Sequence, residues 1–76
     1  MVTAYVLVKA NTGEADRLER ELSALLDVTN VHVVAGDVDL IVTVAADDPS
    51  AVKTVAAGAM ADVDGVERTR TYVALD

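Results

Sequence analysis

The spacing of apolar and polar positions along the chain predicts four strands and two helices. Residues 2–9 carry apolar side chains on both parities, as a strand buried on both faces does. Residues 31–46 contain two β-branched runs around a short polar turn, which is typical of a β-hairpin. Residues 66–75 form the last strand-like run. The strands are therefore expected at 2–9, on both arms of 31–46, and at 66–75.

Both stretches between these strands have helical periodicity. The first is expected to begin with Asn11 or Thr12 as the N-cap and to run to about residue 26. The second begins with Asp48 as the cap and Pro49 at the first helical position. The apolar positions expected to face the core are Ala15, Leu18, Leu22 and Leu25 in the first helix, and Val52, Val55, Ala56, Ala59 and Val63 in the second. Met60, near the end of the second helix, is also expected in the core.

A similar segment follows each predicted helix. Residues 26–31 and 61–66 both read Asp-Val-x-x-Val after one apolar residue, and both lead into a strand. Two βαβ halves related in this way predict an α+β, ferredoxin-like domain of order β-α-β-β-α-β. Right-handed crossovers then place both helices on one face of a four-stranded antiparallel sheet.

The other face of this sheet is expected to be covered by a second copy of the chain. Neighbouring strand positions are both apolar at residues 6–7, 33–34 and 41–42, whereas a solvated face would alternate with polar residues. No segment remains to cover that face. The pattern therefore predicts sheet-to-sheet dimerisation, giving a dimeric α+β barrel.

Composition excludes several classes of protein. The 76 residues form one domain, and the absence of cysteine excludes disulfides and thiolate metal sites. The net charge is −7 and the six Lys and Arg residues are scattered, so no cluster favours nucleic-acid binding. Without a membrane-spanning run or a signal-peptide pattern, the expected location is the cytoplasm. An acidic composition is typical of proteins from a salt-rich cytoplasm, but ordinary acidic proteins have it too, so both interpretations stay open.

The turn of the predicted hairpin is the best candidate for a site. Gly36 tolerates positive φ, and Asp37 and Asp39 place two carboxylates beside exposed backbone. The plainer alternative is ordinary turn chemistry, with Asp39 closing an Asx turn. In the last strand, alternation puts Thr69 and Thr71 on one face. It puts Arg68 and Arg70 on the other with Tyr72, as partners for acidic neighbours.

The order of elements and two motifs resemble the effector-binding domain of the Lrp/AsnC family, also called the RAM domain. The motifs are the Gly-Asp-Val-Asp-Leu turn at residues 36–40 and the Gly-Val-Glu-Arg-Thr-Arg-Thr segment at residues 65–71. The resemblance covers nearly the whole chain, so residues 1–76 are expected to be a single RAM-like domain. It is similar to the stand-alone form of that domain, since no helix-turn-helix segment precedes it.

The resemblance implies a function and a set of partners. Such domains pair through their sheets, assemble into rings that are often octamers, and bind an amino acid between dimers near the glycine-containing turn. Signals then pass to transcription through assembly with a DNA-binding Lrp/AsnC paralogue. The effector-binding residues implied are Gly36, Asp37, Val38, Asp39, Thr69 and Thr71. Val38 stands where the family usually has an aromatic residue, which puts the identity of the effector in doubt.

Other classes of function have less support in the sequence. No phosphate-binding loop, zinc spacing or dinucleotide fingerprint occurs, so no catalytic residues, metal or cofactor are expected. An ACT-like regulatory subunit of a biosynthetic enzyme would share the topology. A small dimeric α+β barrel enzyme would need a catalytic residue between the sheets, for which His32 is the candidate.

Overall fold

The computed structural model describes all 76 residues and contains the predicted elements in the predicted order. None of its helices is both long enough and apolar enough to cross a lipid bilayer. The bounds are β1 Val2–Ala10, α1 Ala15–Ser23, β2 Val28–Val33, β3 Leu40–Ala46, α2 Pro49–Lys53 with a π-helical continuation Thr54–Met60, and β4 Val66–Val73.

The four strands form one antiparallel sheet in the order β2-β3-β1-β4. The central strands β1 and β3 pair from Val2 opposite Ala46 to Val8 opposite Leu40. The outer strand β4 pairs with β1, with a bulge between Lys9 and Ala10. The ferredoxin-like topology predicted from the sequence is therefore confirmed.

The two faces of the sheet differ sharply in burial. The face packed against the helices, here called the covered face, presents alternate residues of β1 and β3 that are almost completely inaccessible to solvent. Leu18 and Leu22 of α1 pack on it, as predicted, and are fully buried. The core of the domain comprises Ala4, Val6, Val8, Ala10, Leu18, Leu22, Leu40, Val42, Val44, Ala46, Val52, Val55, Ala56 and Met60.

The start of α1 differs from the prediction. Neither Asn11 nor Thr12 caps the helix, because the N-cap position is Glu14 and no side chain bonds the first helical N–H groups. Asn11 instead ties the connection to β4, since its N–H donates to the carbonyl of Gly65 at 2.8 Å. The helix also ends at Ser23 rather than near residue 26, because Ala24 and Leu25 donate to carbonyls three residues back in a tighter turn.

Arg17 connects the first turn of α1 to the segment that enters β4. Its Nε donates to Glu14 Oε2 at 2.7 Å, its Nη1 to Glu21 Oε2 at 2.6 Å, and its Nη2 to the carbonyl of Asp64 at 2.7 Å. The hydrogen bond with Glu14 is the main cause of the raised pKa of Arg17. Gly65 is buried at φ +98°, a backbone conformation that residues with side chains rarely adopt, so glycine is favoured there. A Cβ would also meet Arg17 Nη2, the flexible end of a side chain that can move aside.

The second helix has the predicted cap but an altered core-facing side. Asp48 Oδ1 accepts a hydrogen bond from the N–H of Ala51 at 2.8 Å. The expectation that Ala59 faces the core is wrong, because Ala59 is exposed, whereas the expected burial of Met60 is confirmed. The π-helical turn explains the difference, since its i→i+5 spacing places Met60 over Val55.

The two repeated halves are offset from the alignment that the sequence indicates. Sequence similarity aligns Asn30 with Gly65, yet the residue with positive φ before β2 is Asp27, at +69°, and the one before β4 is Gly65. Strand β2 therefore begins three residues earlier than predicted, at Val28. The chain reverses through a left-handed residue in both halves, which is the feature they share.

Candidate functional site

The predicted turn is a six-residue loop, residues 34–39, between the antiparallel strands β2 and β3. The N–H of Val34 donates to the carbonyl of Asp39 at 2.9 Å, which closes the base of the loop. Gly36 has φ +155°, a value that residues with side chains rarely adopt. A Cβ on Gly36 would meet no atom within 4 Å, so the glycine is needed for backbone conformation and not for space.

Asp39 fastens this loop to β1 and so sets its position. The N–H of Asp39 donates to the carbonyl of Val8 at 2.9 Å, and Asp39 Oδ2 accepts from the N–H of Ala10 at 2.8 Å. The same oxygen lies 3.5 Å from Lys9 Nζ. These contacts span the bulge between Lys9 and Ala10, where the regular strand pairing is interrupted. The carboxylate therefore replaces lost strand pairing, and it does not close an Asx turn within its own loop.

The surroundings of Asp39 favour its charged form. The hydrogen bond from the Ala10 N–H is the main cause that lowers the pKa of Asp39, and the positive charge of Lys9 acts in the same direction. Partial removal from water opposes both effects, although about a third of the side chain stays exposed. The carboxylate is thus ionised at neutral pH, and its Oδ2 is already engaged within the protein.

A cavity of about 590 Å³ opens between the loop and the last strand. One wall is the tip of the loop, residues 36–38, and the other is the first half of β4. The lining residues are Leu7, Lys9, Gly36, Asp37, Val38, Arg68, Thr69 and Arg70. This volume suits a small metabolite, and its walls are mainly polar.

Four of the six predicted effector-binding residues meet at this cavity. Gly36, Asp37, Val38 and Thr69 all line it. Asp39 lines a neighbouring cavity of about 440 Å³ beside the connection from β1 to α1. Thr71 lines neither cavity, although it lies on the same side of β4 as Thr69, since Thr69 pairs with Val8 and Thr71 with Val6, farther along β1 from the loop.

Three basic residues at the cavity were not assigned to the site from the sequence. Lys9 lies directly opposite Arg68 in the β1–β4 register, and Leu7 lies opposite Arg70. The expectation that Arg68 and Arg70 pair with acidic neighbours is wrong, since the ion pairs of the chain involve only Lys9 and Arg17. Alternation along β4 had already placed both arginines on one face, but their neighbours depend on the register with β1.

The face that bears these residues, here called the open face, has an unusual charge distribution. The strand residues on it, given by the register, are Thr3, Tyr5, Leu7, Lys9, Asn30, His32, Ile41, Thr43, Ala45, Arg68, Arg70 and Tyr72. None of the thirteen Asp and Glu residues is among them, whereas three of the six Lys and Arg residues are. The net negative charge of the domain is therefore carried elsewhere, on the loops, the helices and the opposite side of β4.

His32 lies away from the cavity. It pairs with Ile41 on the outer strand β2, where it is exposed and makes no side-chain hydrogen bond. No group of three or more His, Asp or Glu side chains is arranged so that it could hold a metal ion. The polar groups at the cavity are instead suited to binding a charged organic molecule through ion pairs and backbone contacts.

Comparison with known proteins gives one family. The model of the Lrp/AsnC ligand-binding domain matches residues 3–76. No curated protein sequence matches the chain.

Several solved structures share its fold. TTHA0845 from Thermus thermophilus is 30% identical over 100% of this chain and 95% of its own, with a TM-score of 0.94. The protein PHS023 from Pyrococcus horikoshii is 28% identical over 100% of this chain and 92% of its own, with a TM-score of 0.90. The Neisseria meningitidis transcriptional regulator NMB0573, solved with L-Met, is 14% identical. There the match covers 99% of this chain but 50% of the regulator, with a TM-score of 0.83.

Proposed function

The chain belongs to the Lrp/AsnC ligand-binding domain family, and from that premise we propose that it senses an amino acid or a similar small molecule at the cavity beside Gly36. The family makes it a regulatory, ligand-binding domain. The observation that carries the more specific proposal is the convergence of the loop tip, residues 36–38, with Thr69 on one cavity. The Gly36 loop and β4 are far apart in sequence, so only the fold unites them.

The chemistry of the cavity suits a zwitterion. An amino acid needs hydrogen-bond donors or cations for its carboxylate and an acceptor for its ammonium group. Exposed backbone at Gly36 and the basic side chains of β4 can bind the carboxylate of the ligand. The Asp37 carboxylate can accept hydrogen bonds from its ammonium group. Amino acids are also the natural first class of ligand to test because NMB0573, which shares the fold, was solved with L-Met.

Asp39 has a different role in this proposal from the one that the resemblance implies. Its Oδ2 binds the N–H of Ala10, so it holds the Gly36 loop in place and contacts the effector at most through its other oxygen. Thr69 contributes to the wall, while Thr71 lies outside the cavity. The proposed effector contacts are therefore the loop tip at residues 36–38 and the cavity-facing part of β4.

Assembly is the second part of the proposal. Tyr5 and Tyr72 lie opposite each other on the open face and are 44% and 51% exposed, and Leu7 and Ile41 are only half-buried beside them. A second copy of the chain covers this apolar centre in a sheet-to-sheet dimer. Dimers then associate into an octamer-like ring and engage a DNA-binding paralogue, in the cytoplasm. An effector shifts that assembly only by the difference in its affinity for the two states.

Thermal unfolding with a panel of amino acids tests effector binding. A ligand at about 100 times its dissociation constant adds roughly 2.7 kcal/mol to the free energy of unfolding, a large shift for a domain of this size. The shift should be lost in Asp37→Asn and kept in Asp62→Asn, an exposed carboxylate outside the cavity. The absence of a shift across the panel would contradict the proposal, and so would a shift that Asp37→Asn leaves unchanged.

Sedimentation velocity tests assembly. Ile41→Lys adds a cation at the centre of the open face and should reduce the dimer and all larger species to monomer. Ala57→Lys, at an exposed position of the π-helical segment on the other side of the sheet, is the matched control and should sediment like the wild type. Equal sedimentation of all three proteins would show that the open face is not the dimer interface.

A further inference from the structure

The basic side chains at the Gly36 cavity are more numerous than a simple amino acid needs. Half of the Lys and Arg residues of a domain with net charge −7 line this one cavity. Lys9 has a partner, since its Nζ lies 3.5 Å from Asp39. Arg68 and Arg70 form no ion pair and no side-chain hydrogen bond, although the chain has thirteen carboxylates. The cavity therefore holds two unpaired guanidinium groups.

The two arginines lack an intramolecular counter-charge in the absence of a ligand. Lys9, which lies directly opposite Arg68 on the neighbouring strand, already has Asp39 as its partner. The open face has no strand carboxylate that could pair with Arg68 or Arg70. An anion that binds between the arginines therefore meets two unpaired cations.

The spacing of the arginines suits two separate anionic groups. Arg68 and Arg70 are two residues apart on one strand, so their Cα atoms lie about 7 Å apart and their side chains leave the same face. Each guanidinium can form a bidentate pair with one carboxylate. A ligand with two carboxylates can thus engage both arginines, whereas a monocarboxylate leaves one of them unpaired.

The remaining charge in the cavity completes the pattern. Asp37 is the acidic residue that lines it, and it is free to accept hydrogen bonds from an ammonium group. Two unpaired cations and one carboxylate are the complement of a ligand with two carboxylates and one ammonium group. The Lys9–Asp39 pair neutralises itself at the edge and does not change this count.

We infer that the effector is an acidic amino acid of the aspartate or glutamate class, with its two carboxylates on Arg68 and Arg70 and its ammonium group on Asp37. This inference rests on the proposed function and deepens it, since it names the chemical class of the ligand. Val38 lines the same cavity at the loop tip.

Isothermal titration calorimetry in low-salt buffer tests the inference with pairs of ligands of the same shape. L-glutamate and L-aspartate should bind at least about tenfold more tightly than L-glutamine and L-asparagine, which lack the second charge. Arg70→Gln should abolish that preference. Arg20→Gln is the control, because Arg20 is also exposed but lies on α1 outside the cavity, and it should keep the preference.

Glutarate, which has both carboxylates and no ammonium group, separates an acidic amino acid from any other dicarboxylate. Asp37→Asn should weaken binding of glutamate and should not weaken binding of glutarate, since the ammonium group is the partner of Asp37. Equal loss of both ligands, or glutarate binding as tightly as glutamate to the wild type, would overturn the inference.

The outcomes distinguish this inference from the proposed function. If glutamate and glutamine bind the wild type equally tightly, and Asp37→Asn abolishes binding of both, the inference is overturned. The protein is then still an amino-acid sensor at the same cavity. A preference for glutamate that survives in Arg68→Gln and Arg70→Gln would also overturn it. No binding of any amino acid would overturn both. Melting curves of the two arginine variants should match that of the wild type, because both side chains are exposed and unpaired.

Discussion

The covered and open faces of the sheet are built from the same strands but have opposite properties. On β3, Leu40, Val42 and Val44 are completely buried against the helices, while Ile41 and Thr43 on the open face are half-buried. On β1, the open face carries Lys9 beside a cavity, whereas the covered face carries only apolar residues. The covered face thus stabilises the fold, and the open face is the side on which we propose that binding occurs.

This difference shows why a small domain can carry a polar cavity without weakening its core. The side-chain period of a strand is two, so stability and recognition are assigned to alternate residues of one element. The cations at the cavity therefore never compete with the apolar contacts between sheet and helices. Changes on the two faces should accordingly alter different measured quantities.

The largest expected effect comes from truncating adjacent residues on opposite faces. Leu40→Ala should lower the free energy of unfolding by about 3 kcal/mol, because it opens a cavity in a close-packed core. Ile41→Ala should cost about 1 kcal/mol at concentrations where the protein is a monomer, because the side chain is already partly solvated. Urea unfolding measures both values. Equal costs at low concentration would show that the two faces are packed alike.

The next effect concerns the loop that forms one wall of the cavity. Gly36→Ala should lower stability by about 1 kcal/mol, because alanine is strained at φ +155° while its Cβ meets no atom. The same substitution at Gly58, whose φ is ordinary and whose Cβ would also meet no atom, is the control and should not destabilise the domain. Equal melting temperatures for Gly36→Ala and the wild type would show that the loop relaxes freely.

The smallest effect should appear as a dependence on pH. The pKa of Asp39 is lowered in the folded state, so its contribution to stability is present above its ordinary pKa and disappears as the pH falls through the folded-state value. Asp39→Asn should therefore be less stable than the wild type at neutral pH, and the difference should shrink below about pH 4. Thermal unfolding of both proteins from about pH 2 to about pH 7 would reveal this trend. A difference that stays constant over this range would mean that the charge of Asp39 is not what holds the loop.

Most of the fold could be predicted because its signals are local. The periodicity of α1, the Asp48 cap with Pro49, and the apolar runs of the strands each reflect the immediate neighbours in the chain. The errors occurred where distant contacts or a departure from α-helical geometry decide the conformation. Asn11 is held by Gly65 instead of capping α1, and Ala59, in the π-helical segment, is exposed, whereas Met60 is buried as expected.

The candidate site was harder to predict than the fold. The Gly36 loop is recognisable as a turn, but the residues opposite it depend on the β1–β4 register, which no local pattern determines. For this reason Arg68 and Arg70 were expected to have acidic partners, and the attachment of Asp39 to the N–H of Ala10 could not be foreseen. The bulge at Lys9 and Ala10 creates that attachment, and a bulge has no clear sequence signal here.

The central claim is that an amino-acid effector binds on the open face, at the Gly36 cavity. The most direct test is an amide correlation NMR spectrum of the deuterated, nitrogen-labelled domain, recorded during titration with L-glutamate. The account predicts that the largest shifts fall on residues 36–38 and 68–70, which line the cavity, with little change in α1 and the π-helical segment. Saturable shifts confined to the helices, or none at millimolar glutamate and at equal concentrations of neutral amino acids, would contradict it.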